Sequence, residues 1–311
     1  MLSVAEAEAR ILALCVPLAG VGDAGVGDTE IVPLGQARGR VLAEAVLAAR
    51  DVPHWDNSAM DGYAVRSQDC QSGSESGSES EQGLAVIDEL PAGTEPRQVL
   101  QAGQAARIFT GGVLPAGADA VVMQEETERR GDRVLIQATV EAGQFIREQG
   151  KYCRAGTPIL SPGMVLGPAE LAIAAANQTA ELTVIRRPRV AVLSTGNELV
   201  SVDAPLQPGQ IVDSNRYALT AFVEQMGAIA IPLGIVGDRR ETVTAAIREA
   251  IFSADIVLST GGVSVGDYDY VEAVLEELGG AIAVRKVAVK PGKPLTVAQF
   301  SAETLQSLGF D

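Results

Sequence analysis

Acidic and hydroxyl side chains sit beside glycines at three places in the second half of this sequence. Ser194-Thr195-Gly196-Asn197-Glu198 ends one apolar run, and Gly237-Asp238 ends another. Ser259-Thr260-Gly261-Gly262-Val263-Ser264-Val265-Gly266 follows a third, with Asp267 and Asp269 just beyond. Glycine lets backbone N–H groups approach an oxyanion, and serine or threonine hydroxyls add donors. Ser259, Thr260 and Ser264 could supply them here. The pattern is neither Gly-x-Gly-x-x-Gly nor a Walker loop, so it points away from a nicotinamide cofactor and from simple nucleotide hydrolysis. The acids suggest a cation. Two carboxylates about 4 Å apart repel by roughly 4 kcal/mol at an effective dielectric near 20. A cluster of three drawn from Glu198, Asp238, Asp267 and Asp269 would need neutralising, and Mg²⁺ takes hard oxygen ligands and bridges to phosphate. Lys286, Lys290 and Lys293 add a basic patch, and Lys286 and Lys290 share strand parity, which lets both face one side. A plain strand-to-helix turn and spaced, solvated surface acids are the competing readings.

The elements that would carry these residues alternate regularly. Arg189 to Leu193 reads as a strand, Asn215 to Met226 as a helix, Ala228 to Ile235 as a strand and Glu241 to Phe252 as a helix. Ile256-Val257-Leu258 is a short buried strand. A helix carrying Val271, Val274, Leu275 and Leu278 follows, and Ala281 to Val289 closes as a strand. Such alternation predicts an α/β fold with a parallel sheet and right-handed crossovers. Ligands of such sheets lie at the carboxyl ends of the strands, where the polar residues fall.

Composition bounds the function. The chain has 311 residues, 47% of them hydrophobic, which suits a multidomain protein with substantial cores. A formal net charge of −16 argues against a nucleic-acid groove, which needs clustered Lys and Arg. Cys15, Cys70 and Cys153 lie far apart without metal spacing, which predicts reduced thiols and a cytoplasmic protein. His54 is the only histidine, which disfavours a Ser–His hydrolase and a multi-histidine metal site. No signal peptide or membrane-length apolar run is visible.

The first half is less regular. Residues 3 to 17 read as an amphipathic helix, with Ser3 as N-cap and Glu6 completing a capping box. Gln36 to Ala49 holds a second helical pattern. The stretch Asp51 to Ala64 is dense in turn formers and holds the sole tryptophan, and Asp61-Gly62 makes a tight turn before Tyr63-Ala64-Val65. Ser72 to Gly83 is low complexity and cannot build a core. Residues 84 to 154 alternate short apolar runs with Gly and Pro, which reads as a small β-rich domain holding a second Thr-Gly-Gly turn at Thr110. Pro168 to Ala176 reads as a helix. The expected division is a linker domain at 1–49 plus 155–187, a small β-rich domain at 50–154 and an α/β domain at 188–311.

Taken together, five stretches resemble the molybdopterin molybdenumtransferase family, the molybdate-insertion enzymes related to the E domain of gephyrin. They are Asp56-Asn-Ser-Ala-Met-Asp-Gly-Tyr-Ala64, Thr110-Gly-Gly-Val-Leu-Pro-Ala-Gly-Ala-Asp-Ala-Val-Val122, Ser194-Thr-Gly-Asn-Glu-Leu199, Ser259-Thr-Gly-Gly-Val-Ser-Val-Gly-Asp267 and Lys290-Pro-Gly-Lys-Pro294. The resemblance implies an enzyme that takes adenylylated molybdopterin and molybdate, releases AMP with Mg²⁺ and leaves molybdenum on the dithiolene. It implies a homodimer with a shared active site, small-molecule substrates, and neither nucleic-acid nor membrane partners. It implies catalytic roles for Asp61, Thr110, Glu198, Asp238 and Asp269, three of which (Glu198, Asp238 and Asp269) also hold the metal. Substrate contacts fall to Ser194, Thr195, Asn215, Thr260, Gly261, Gly262, Ser264, Gly266, Lys286, Lys290 and Lys293.

Three departures mark this chain. Tyr152 stands where the family usually carries an acid, and Asn197 stands where Asp is common. After Pro294 the chain runs Leu295-Thr-Val-Ala-Gln-Phe300 to Asp311, where the family continues into a Gly-Leu-Pro-Gly-Asn-Pro loop and a β-barrel. The expectation is a fragment or a divergent tail without that barrel. A molybdopterin adenylyltransferase and a non-catalytic pterin-binding homologue are the alternatives.

Overall fold

The computed structural model describes residues 1–18, 28–70, 83–261 and 270–309. The chain divides into two compact units. One comprises Met1–Ala43, Val165–Gly167 and Leu182–Asp311, and the other Glu44–Met164 and Pro168–Glu181. The architecture is α/β and multidomain.

In the first unit, three parallel strands lie in the order Ile229–Val236, Arg189–Thr195, Ile256–Thr260. The central strand is buried from Val190 to Thr195, as its unbroken apolar run requires. Helices Ser214–Gln225, Arg240–Ser253 and Tyr270–Glu277 accompany it, and Leu193 packs with Val243, Ile247, Val271 and Val274. Ala281–Lys286 departs from the expectation of a closing parallel strand. It pairs antiparallel with Pro294–Gln299 in its own two-stranded ladder. The connection is too short for a crossover and can only make a hairpin. Lys290, Pro291 and Gly292, the last at φ 108°, form its bend. Strand parity therefore does not place Lys290, because the strand ends at Lys286.

The N-terminal helix forms as expected at Val4–Leu14, with both halves of the Ser3–Glu6 capping box made. Ala7 packs against Val284 and Val287, and Leu2 bridges Val287, so this helix seats on the hairpin ladder.

The helix expected over Gln36 to Ala49 does not form. One 3₁₀ turn, Leu34–Gln36, is followed by extended chain. Val41 and Leu42 make isolated bridges, and Val46–Leu47 pairs with Pro158–Leu160. Burial alternates within two short runs: Arg40 and Leu42, then Val46 and Ala48, are buried on either side of a less buried residue, while Glu44 and Ala45 between the runs are exposed, as extended chain allows.

The second unit is built on a six-stranded sheet in the order Ala120–Met123, Gly62–Val65, Gln104–Ile108, Leu84–Leu90, Arg133–Ile136, Thr127–Arg130. Its central strands are apolar on both faces. Tyr63, Val65, Ala105, Ala120 and Val122 enter one core, and Ala64, Ala106, Ile108 and Val121 enter another. Each fully buried Val or Leu here contributes roughly 1.5–3 kcal/mol. Gly62 has no room for a side chain, since a Cβ would lie 1.8 Å from the Val122 carbonyl oxygen. The low-complexity stretch lies, but for Gly83, outside the described residues.

Candidate functional site

The carboxyl ends of the parallel strands carry a connected polar cluster. Ser194 is fully buried and donates its hydroxyl to Asp213 Oδ1 at 3.0 Å. Thr260 Oγ1 donates to Ser194 Oγ at 3.2 Å, and Thr195 Oγ1 donates to the Thr260 carbonyl at 3.4 Å. Asp213 is 2% exposed and caps helix Ser214–Gln225, accepting the Arg216 backbone N–H at 3.2 Å. The Arg216 guanidinium lies 3.2 Å from its other oxygen as an ion pair. Gly261 follows Thr260 at φ 86°, and a Cβ there would lie 2.0 Å from the Thr195 carbonyl oxygen.

A second turn adjoins the first. Asn197 N–H donates to Asp238 Oδ2 at 3.0 Å, and Asp238 N–H donates back to Asn197 Oδ1 at 3.1 Å. Glu198 is exposed and folds its carboxylate over Gly196, where a Cβ would lie 2.7 Å from Oε2. Two carboxylates therefore flank the Gly196-Asn197 turn. They offer hard oxygens on a backbone held at both ends, a donor set that suits an Mg²⁺ ion keeping several of its waters. Among the described residues no three His, Cys, Asp or Glu side chains gather for a metal. Asp269, the third acid of the expected trio, lies outside the described residues, as do Gly262, Ser264 and Gly266.

The expected substrate contacts thus separate into groups. Ser194, Thr195, Thr260 and Gly261 come together. Asn215 is exposed on the first turn of the helix that Asp213 caps. Lys286, Lys290 and Lys293 are exposed around the 286–294 hairpin, whose Lys293 carbonyl accepts the Val287 N–H at 3.0 Å.

In the second unit Asp61 and Thr110 form one device. Asp61 Oδ1 accepts both the Thr110 N–H at 2.8 Å and the Thr110 hydroxyl at 2.7 Å. The backbone donor, then the hydroxyl, hold the exposed Asp61 carboxyl below its usual range, and the nearby Arg107 charge adds to this. Arg107 is steadied between Tyr63 and Phe109, 4.9 and 5.1 Å from their ring centres, and bonds Gln124 at 2.6 Å. Tyr152 is 68% exposed. Sequence reasoning missed Asp213 and Arg107. Asp213 had a signal, an N-cap residue just ahead of a recognised helix. Arg107 had none short of the strand pairing that sets it beside Tyr63.

Fold and cluster define an α/β ligand-binding unit with an acidic, hydroxyl-lined strand-end rim, joined to a β-rich unit. Residues 2–177 match the family described as "MoeA N-terminal region (domain I and II)", and residues 191–308 match the "Probable molybdopterin binding domain". The chain belongs to the MoeA family of molybdopterin molybdenumtransferases. It is 55% identical over 273 residues to a molybdopterin molybdenumtransferase of Nostoc sp., covering 88% of this chain and 62% of that relative. It is 39% identical over 282 residues to molybdopterin molybdenumtransferase 2 of Mycobacterium tuberculosis, covering 89% of this chain and 69% of the relative. A crystal structure of a molybdopterin biosynthesis MoeA protein from Pyrococcus horikoshii superposes with a TM-score of 0.74 at 36% identity, over 87% of this chain and 67% of that one. The chain thus spans 62% of the length of the Nostoc relative. No helix of the described residues is long and apolar enough to cross a membrane.

Proposed function

We propose that this chain takes part in molybdenum cofactor synthesis, inserting molybdenum from molybdate into adenylylated molybdopterin with release of AMP. One observation carries the reading. The part of the chain matched to the molybdopterin-binding family sets Glu198, Asp238, Ser194, Thr195, Thr260 and Gly261 on one strand-end rim. A ligand with a phosphoanhydride and a polar ring system is the kind such a rim receives.

Mg²⁺, when bound by Glu198 and Asp238 with Asp269, would supply charge neutralisation for the anhydride. The chain's own residues do the rest. Asn197 fixes the Asp238 carboxylate, and Gly196 allows Glu198 to fold close to the turn. Together they orient a water or molybdate oxygen toward the phosphorus, and the anhydride P–O bond breaks with AMP as leaving group. Lys286, Lys290 and Lys293 offset the phosphate charge. The reading includes a homodimer in which the Asp61–Thr110 pair of one subunit serves the rim of the other, and a cytoplasmic setting consistent with three cysteines that form no disulfide.

The test is incubation of the chain with adenylylated molybdopterin, Mg²⁺ and molybdate. AMP release with formation of cofactor able to activate a molybdenum-free apoenzyme supports the reading. Binding without AMP release selects a non-catalytic pterin-binding homologue, to which the exposed Tyr152 at the acid position would correspond. Adenylylation of free molybdopterin from ATP selects the adenylyltransferase.

A further inference from the structure

We propose that Asp213 is a positioning residue that sets the direction of a hydroxyl relay. Through it Thr260 presents only lone pairs to the ligand and receives an N–H donor of the pterin, not its phosphate. This rests on the pterin reading above and deepens it. The argument is one of donor counting. An ionised carboxylate can only accept, and a hydroxyl has one proton to give. Neither further partner of Asp213 can accept a proton: the Arg216 backbone N–H donates to the same Oδ1 at 3.2 Å, and the Arg216 guanidinium, also at 3.2 Å, faces Oδ2 as an ion pair. Ser194 must therefore direct its proton to Asp213, at 3.0 Å. Its oxygen is left to accept, so Thr260, 3.2 Å away, is the donor of the next link. That link is longer than a typical O–H···O bond, so Ser194 holds it only as long as its oxygen is free to accept.

Thr195 has committed its proton as well, to the Thr260 carbonyl at 3.4 Å. Thr260 is half-buried at the last position of its strand, so its outward side is open to a ligand. What that side offers is an acceptor. Phosphate oxygens also accept and make no match with it, whereas ring and exocyclic N–H groups of a pterin do. Phosphate recognition then falls to other donors, the lysines among them.

Ser194→Ala supplies the sharpest change. It leaves Asp213 its bond from the Arg216 N–H, so the helix start is kept. Thr260 loses the acceptor of its proton, which is then free to point outward.

Pterin fluorescence titrations of the full chain with molybdopterin, and competition by inorganic phosphate, test this. Ser194→Ala and Thr260→Val should each weaken molybdopterin binding about tenfold. The double variant should be no weaker than either single one, and phosphate competition should not fall. Additive losses, unchanged molybdopterin binding in Ser194→Ala, or an equal loss of phosphate competition would overturn the proposal, and equal loss of all ligands is what a purely structural role for Ser194 would give. Wild-type protein that binds no molybdopterin would remove the pterin reading instead. The relay is then judged by NMR of threonine-labelled chain: a slowly exchanging Thr260 hydroxyl proton in the wild type, lost in Ser194→Ala, supports it, and its persistence in the variant overturns it.

Discussion

Asn197 and Asp238 hold each other by two reciprocal hydrogen bonds, each from a backbone N–H of one residue to a side-chain oxygen of the other, at 3.0 and 3.1 Å. The pair joins the turns after two neighbouring strands and commits one oxygen of Asp238 to the backbone. Asn197→Ala removes the acceptor for the Asp238 N–H while its own N–H remains. The turn that carries Asp238 should then loosen, and the turnover number should fall about tenfold with little change in KM, because orientation acts on the transition state. Asn197→Asp keeps the acceptor and adds a negative charge beside Asp238, so half-saturation by Mg²⁺ should move to lower concentration. Measured AMP release against Mg²⁺ concentration checks both, and superimposable curves for the three proteins would reject a role for the pair.

Two glycines with nearly the same backbone separate crowding from conformation. Gly261 at φ 86° faces the Thr195 carbonyl oxygen 2.0 Å from where a Cβ would sit, whereas Gly234 at φ 89° has nothing within 4 Å. Gly234→Ala should cost about 1 kcal/mol, the conformational penalty alone. Gly261→Ala should cost more than about 2 kcal/mol, because the backbone must also move, and should abolish ligand binding at the rim. Denaturant melts rank the two, and equal costs would mean that the turn after Thr260 yields freely.

What the sequence revealed, and what it hid, follows from how local each signal is. Helix Val4–Leu14 was readable because its capping box lies within four residues. The central parallel strand was readable because both its faces are buried, and its half-buried neighbours because their apolar runs end in Gly-flanked polar residues. The stretch Gln36 to Ala49 misled because its alanines and leucines favour a helix, while its fate was set by distant partners at Pro158–Leu160 and Val184. The hairpin of Ala281–Lys286 and Pro294–Gln299 was hidden in the same way, by a bend built from a proline and a glycine that reads equally well as a loop. The pairing of Thr110 with Asp61 across 49 residues has no local signature at all.

That pairing bears on the proposed homodimer. Asp61→Ala should lower AMP release at least a hundredfold, while Thr110→Val should lower it less, since the Thr110 N–H still holds the carboxylate. If each active site draws on two subunits, mixing inactive Asp61→Ala with inactive Glu198→Ala and re-equilibrating should restore about a quarter of wild-type activity, because half the dimers are mixed and each has one intact site. Mixed samples that stay inactive although subunits demonstrably exchange would exclude the shared arrangement.

Stability should depend on pH through the clamp at the amino end of the parallel sheet. Arg186 bonds Asp255 through two nitrogens at 2.7 and 2.8 Å and Asp28 at 3.0 Å, and the Arg189 N–H adds a donor to Asp255 at 2.7 Å. The guanidinium, then the Arg189 N–H, lower the Asp255 carboxyl below its usual range against a smaller opposing effect of burial. A carboxyl lowered in the folded state stabilises above its unfolded value, about 3.9, and that contribution is lost as pH falls through the folded value. The groups are partly exposed, so solvent screening limits the neutral-pH contribution to about 1–2 kcal/mol. Asp255→Asn should therefore be less stable than wild type by that amount at pH 7, and the gap should narrow as pH falls below about 3.9. Chemical denaturation at intervals from pH 3 to pH 7 follows the gap, and a difference that persists unchanged to the acid end would show that Asp255 contributes by packing and not by charge.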